Sequence, residues 1–248
     1  MEFRSRVLSV VCGGVVSMSA GNVMAEEGKD WGNFSATTTL ASEYVLRGIT
    51  QSAEEMAIQG SFDWWQDIFY AGVWASTVDF SPTQASIEID LYAGITPTFG
   101  SVNFNFGILY YLYPGAADQP LGVEFDFYEF VATAEHNFGP VTAQAIVYYT
   151  PDYFADSDTG FYLEGKLSAP LVENLEVSGS FAKQWIADNV QFGAPDYLTW
   201  NIGLSYSWKQ FSLDVRYHDT DLSANGCFGS TTDALCGSRV VGSLIASF

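Results

Sequence analysis

Apolar and polar residues take turns along nearly the whole chain, and charges stand in the middle of these alternating runs. Ile87, Ile89, Leu91, Ala93 and Ile95 alternate with Glu88, Asp90, Tyr92 and Gly94. Phe211, Leu213, Val215 and Tyr217 alternate with Ser212, Asp214, Arg216 and His218. A period of two belongs to a strand whose two faces meet different surroundings. Beyond residue 25 no apolar run approaches the ~20 residues of a membrane-crossing helix. Hydrocarbon tolerates no unpaired backbone polar group, so an all-strand chain enters it only as a closed barrel. A mid-strand charge is then costly against lipid and cheap against water, which turns the polar face inward. By this parity Asp63, Glu88, Asp90, Glu164, Glu176 and Asp214 line the interior, with Lys166, Arg216 and Arg239 as a basic minority.

The spacing predicts twelve strands near 33–45, 57–66, 68–79, 85–97, 101–113, 124–137, 140–150, 159–169, 174–186, 196–207, 210–219 and 238–248. Short links such as Gln66-Asp67, Phe138-Gly-Pro140 and Trp208-Lys-Gln210 are expected to alternate without exception with longer, more polar ones, including 46–56, 114–123, 187–195 and 220–237. That odd–even rule is the pattern of an all-β, even-stranded antiparallel transmembrane barrel with short periplasmic turns and longer extracellular loops. Aromatic residues beside the turns (Trp64, Trp65, Phe69, Tyr70, Trp208) and near the long loops (Tyr110, Tyr111, Tyr113, Tyr148, Tyr149, Tyr153) are expected to form girdles at the two membrane interfaces. The chain ends on an alternating strand closing in Phe248, the kind of terminus that barrel-assembly machinery engages.

Residues 1–25 read as a cleavable export signal: Arg4 and Arg6 precede an apolar, small-residue stretch, and Val23-Met-Ala25 supplies the spacing for cleavage. Residues 26–248 then form one barrel domain. Only 15% of residues are charged, well below the ~25% usual for a soluble domain, as expected of a chain that shows one face to lipid. The net charge of −20 makes nucleic acid an unsuitable partner. In an oxidising exported compartment Cys227 and Cys236 are expected to form a disulfide, since no further Cys or His stands nearby to complete a metal site.

Ser42-Glu-Tyr-Val-Leu-Arg-Gly-Ile-Thr-Gln51, Gln59-Gly-Ser-Phe-Asp-Trp64, Tyr70-Ala-Gly-Val-Trp-Ala-Ser-Thr-Val-Asp-Phe80 and Gly107-Ile-Leu-Tyr-Tyr-Leu-Tyr-Pro-Gly115 resemble the TorF family of porins. The resemblance covers the chain beyond the signal and is strongest over 40–130. It implies a proteobacterial outer-membrane barrel with a porin role, set in lipid and lipopolysaccharide.

The chemistry expected of the residues is passive. Carboxylates on a wet wall attract cations, so the reading is a narrow channel for small polar solutes or ions with weak cation preference. A non-conducting barrel with a structural or adhesive role for its extracellular loops is the alternative. Arg47, beside Glu43, is expected either at the pore mouth, contacting an anionic group of a solute or a lipopolysaccharide phosphate, or in a buried salt bridge to Glu43 or a loop carboxylate that orders the first loop, with Gly48 turning the backbone. Catalysis is not expected: His136 and His218 are the only histidines, neither stands in a recognisable pairing with a serine, and no Gly-x-Ser-x-Gly occurs. No cofactor signature or metal-ligand spacing appears.

Overall fold

The computed structural model describes residues 31–80, 85–116, 122, 124–229 and 235–248. The expected export signal lies outside them. Among the described residues twelve long strands make one antiparallel sheet: β1 (Asn33–Ala41), β2 (Ala57–Gln66), β3 (Phe69–Phe80), β4 (Ala85–Ile95), β5 (Val102–Leu112), β6 (Phe127–Asn137), β7 (Thr142–Thr150), β8 (Gly160–Val172), β9 (Leu175–Ile186), β10 (Tyr197–Trp208), β11 (Phe211–Thr220) and β12 (Arg239–Ser247). Each pairs with its neighbours in sequence, and β1 pairs with β12, Leu40 opposite Leu244, so the sheet closes. Strands of nine to thirteen residues suit a tilted crossing of the hydrocarbon layer.

The wall is inside-out relative to a soluble core. Leu40, Ile58, Phe62, Leu91, Phe130, Leu163, Ile202, Leu204, Val215 and Leu244 are exposed on the outer face, whereas Asp63, Asn105, Glu129, Glu135, Gln144, Gln184 and Asp214 are buried on the inner one. Period-two alternation puts both sets on the same strands at successive positions.

Three two-residue turns, Asp67-Ile68, Glu173-Asn174 and Lys209-Gln210, reverse the chain at one end, each with a residue at positive φ (Asp67 54°, Asn174 66°, Lys209 55°). Such backbones match the twist of the flanking strands. β8 runs past Pro170, which has no N–H to give the ladder; the register slips between Pro170 and Val172. The expected alternation of short and long links relaxes at one place. β3 ends at Phe80 and β4 begins at Ala85, so their link is shorter than the one from β4 to β5. The first expected strand, 33–45, is also too long: the chain leaves the wall after Ala41 and turns inward.

The aromatic girdle at the loop end needs correction. Tyr110 and Tyr149 face outward, but Tyr111, Tyr113, Tyr148 and Tyr153 are buried inside the barrel. There Phe80, Tyr113, Phe125, Phe127, Tyr153 and Phe154 pack in edge-to-face and tilted pairs, with ring centroids 5.0 to 6.4 Å apart. Parity explains it, because consecutive tyrosines on a strand must point to opposite sides. At the turn end Tyr70 likewise points inward, its hydroxyl donating to Asn105 Oδ1 at 2.8 Å.

Candidate channel interior

The first connection, residues 42–56, turns into the barrel over 43–52, which are buried or half-buried. Val45 and Leu46 pair with Thr50 and Ile49 in a minute hairpin whose turn residues, Arg47 and Gly48, both have positive φ (50° and 84°). Left-handed backbone costs a non-glycine residue roughly 1–3 kcal/mol and persists only where the surroundings hold it. They do. Tyr44 N–H donates to Ser52 Oγ (3.0 Å), Gln51 N–H to Tyr44 O (2.7 Å), Asp79 N–H to Gln51 O (2.9 Å) and Thr50 N–H to Leu235 O (3.0 Å). Gly48 lies so close to the far wall that a Cβ there would come within 2.5 Å of Thr199 Oγ1 on β10, so no side chain fits.

The hairpin thus crosses the lumen. Near its root Tyr44 donates its hydroxyl to Glu88 on β4 (2.8 Å) and sets its ring edge-on to Trp74 on β3 at 5.4 Å. At its tip Arg47 donates to both oxygens of Glu129 on β6 (Nη1–Oε1 3.0 Å, Nη2–Oε2 2.6 Å) and to Gln184 Oε1 on β9 (3.0 Å). Tyr111 on β5 donates to Glu129 Oε2 at 2.8 Å. The guanidinium carbon stands 4.5 Å from the ring centre of Tyr162 on β8 and 4.8 Å from that of Tyr148 on β7. Both members of the ion pair are enclosed, with side-chain exposures of 6% for Arg47 and 1% for Glu129.

The partners of Arg47 and Glu43 differ from the sequence expectation. Arg47 is neither at a pore mouth nor paired with Glu43 or a loop carboxylate. Glu43 pairs instead with Arg239 on β12, which also donates to Gly237 O.

The rest of the inner wall is a polar lattice. Cross-strand register sets Glu135, Gln144, Lys166, Ser180, Asn201, His218 and Arg239 in one row across β6 to β12. Arg216 is the hub of a neighbouring row. It reaches Asp214 (Nε–Oδ1 3.2 Å, Nη2–Oδ2 3.0 Å), Asn201 Oδ1 (2.8 Å) and Ser178 Oγ (2.9 Å) by lying across Gly203, its partner on β10. On the opposite wall Tyr92 reaches over to hydrogen-bond Asp63. Glu164, accepting from Tyr162 at 3.2 Å, and Glu176 are half-buried, as is Arg216.

The sequence-predicted inward residues therefore divide. Glu164, Lys166, Glu176, Asp214 and Arg216 stand together on the β8–β11 wall. Glu88 and Asp90 also face inward but have no exposed surface, packed on the β4 wall at the level of Tyr44 and Trp74. Glu129, Glu135, Gln144, Gln184 and Asn105 were not anticipated. Glu129 and Glu135 carry the same signal as Glu88, a carboxylate between outward-facing neighbours. In Phe127-Tyr-Glu-Phe-Val131 that signal is masked because both faces are largely aromatic. At the loop end Cys227 and Cys236 are joined in a disulfide. Loop carboxylates there accept backbone N–H groups at strand ends, Asp221 from Leu198 (2.7 Å), Asp196 from Ile186 (3.0 Å) and Asp126 from Tyr113 (2.7 Å).

A closed twelve-strand wall, apolar outside and charged within, is the architecture of a membrane-spanning β-barrel. Residues 25–248 match the profile of a family described as "Bacterial protein of unknown function (Gcw_chp)", and the chain belongs to that family. Among solved structures it is similar to the KdgM porin, with 11% identity over 86% of this chain and 99% of that one and a TM-score of 0.59. The KdgM porin in complex with disordered oligogalacturonate gives 10%, 87%, 98% and 0.54, and the NanC porin 10%, 87%, 99% and 0.53. At such identities the likeness is one of fold. The matches point to porin barrels in general rather than to the TorF family. No curated protein matches the chain.

Proposed function

We infer that this chain is a passive channel of the bacterial outer membrane for small polar solutes or ions, with weak cation preference and with its first loop as the constriction. The observation that carries this reading is the inner wall: charged and hydrogen-bonding side chains line a barrel whose outer face is lipid-compatible. Twelve strands make a lumen wider than the side-chain-filled eight-strand barrel and narrower than the sixteen-strand porin, so an inward loop decides what passes.

The remaining features fit. A signal over residues 1–25 would deliver the chain, Phe248 would engage the assembly machinery, and the turn end would face the periplasm with the loops toward lipopolysaccharide. The likeness of residues 42–51 and 70–80 to the TorF porins supports the same reading. The KdgM structure that holds oligogalacturonate, a polyanion, is a useful contrast. Here carboxylates dominate the inner wall, and the basic groups Arg47, Arg216 and Arg239 are each engaged by an acid. A polyanion would meet net repulsion. The water-facing carboxylates on this account are Glu164 and Glu176, seconded by Asp214, with Lys166 and Arg216 reducing the preference. The channel reading assigns no catalytic role to either histidine.

The test is the reversal potential of the purified barrel in planar bilayers under a tenfold KCl gradient. Cation-selective steps that weaken in Glu164→Gln/Glu176→Gln support the reading, and an unchanged reversal potential in that variant contradicts the assignment. A folded barrel that never conducts leaves the loops as the functional part.

A further inference from the structure

The surroundings of Arg47, apart from the loop residue Tyr153, belong to the barrel wall and have contacts of their own. Tyr148, Tyr162, Gln184 and Tyr197 are direct cross-strand neighbours in one row across β7 to β10. Gln184 is fixed by its own amide, which donates to Trp185 O (3.1 Å) and Phe161 O (3.4 Å), leaving Oε1 turned to the lumen. Glu129 is held by Tyr111, whose ring stacks on Phe127 at 4.3 Å. Tyr153 closes the third side, 5.9 Å from the guanidinium carbon, and is itself packed on Phe192. A carboxylate matched to a two-pronged donor, an amide oxygen and several ring faces form a receptor for a planar cation. The hairpin contributes only the occupant. Its own strands pair through two residue couples, and its tip enters from the opposite side of the barrel.

We propose that this cage is the channel's solute-recognition site, occupied in the closed state by the chain's own guanidinium. The solutes it takes carry a guanidinium group, which displaces Arg47 and with it the hairpin. Such a solute satisfies Glu129 and the ring faces just as Arg47 does, so hairpin withdrawal leaves no buried charge unpaired. The proposal rests on the channel reading and specifies its substrate class.

The probe is the guanidinium ion itself, at millimolar concentration, with urea as its neutral isostere. In Arg47→Ala the cage is vacant. Single-channel conductance should rise several-fold over the native barrel, and 20 mM guanidinium should lower it at least twofold while 20 mM urea does not. Glu129→Gln added to Arg47→Ala should abolish the response. Block by urea to the same extent, no block at all, or block that survives Glu129→Gln would each overturn the proposal. A second variant guards against misfolding. Gln51 N–H bonds to Tyr44 O, so Gly-Gly in place of residues 45–50 can close the shortened hairpin, and it empties the cage by removing the whole tip. Thermal unfolding in detergent with each probe needs no conduction and separates the two readings. A guanidinium-stabilised but silent barrel keeps the cage and refutes the channel, whereas a conducting barrel indifferent to guanidinium does the reverse.

Discussion

Replacing Glu129 with Gln should unseat the first-loop hairpin while leaving the barrel intact. Glu129 accepts both prongs of Arg47 and the Tyr111 hydroxyl, and it is enclosed. Removing one charge of a buried pair strands the other, at a typical cost of 3–5 kcal/mol. Two features of the site choose within that range. Arg47 keeps Gln184 and the faces of Tyr148 and Tyr162, which continue to favour a cation, so the lower figure of about 3 kcal/mol applies. At about 1.4 kcal/mol per decade this raises the withdrawn population roughly a hundredfold. The readout is hydrogen–deuterium exchange of the peptide spanning 43–52, whose Thr50 amide is bonded to Leu235 O only while the hairpin is seated. Exchange there should accelerate by about two decades, with strand amides of β6 and β9 unchanged and conductance increased. Acceleration below about threefold would show that Arg47 does not hold the hairpin across the lumen, and the energetic argument would fail.

Other outcomes follow from single contacts. Gly203→Ala puts a methyl within 3.0 Å of Arg216, so the Arg216–Asp214–Asn201 hub must shift; conductance and selectivity should change with little loss of barrel stability. Leu91→Arg places a charge on the lipid face near mid-strand and should cost ~2–4 kcal/mol, read as loss of the heat-modifiable folded band in lipid refolding; wild-type yield would contradict the assigned outer face. Reducing the Cys227–Cys236 bridge, which spans nine positions, should cost about 2–3 kcal/mol on the chain-entropy account and speed amide exchange of Thr50, which is anchored on Leu235; unchanged exchange would detach that loop from the hairpin.

The parts legible from sequence are those that local periodicity encodes. The inward direction of Asp63, Glu164, Lys166, Asp214 and Arg216 follows from neighbours one residue away, and twelve strands follow from counting such runs. What crosses the lumen has no local signature. Arg47 and Glu129 are 82 positions apart, and their meeting depends on barrel diameter and hairpin reach, which no window of residues contains. One clue lay in the composition of the first loop. Tyr44, Val45, Leu46 and Ile49 are too apolar for a segment in water, and Arg-Gly between them is a turn pair with positive φ. The aromatic girdle at the loop end is only partly formed for a related reason: height along the strand does not decide the facing of Tyr111, Tyr113 and Tyr148, and the parity that turns the charges inward turns these tyrosines inward as well.

The hairpin lying across the barrel is tested most directly by single-channel conductance of the native chain against one with Gly-Gly for residues 45–50. Steps several-fold larger in the shortened barrel, at equal folding yield, are the predicted result. Steps of the same size in both would mean that ions do not pass the hairpin, and the assignment of the first loop as the constriction would be wrong.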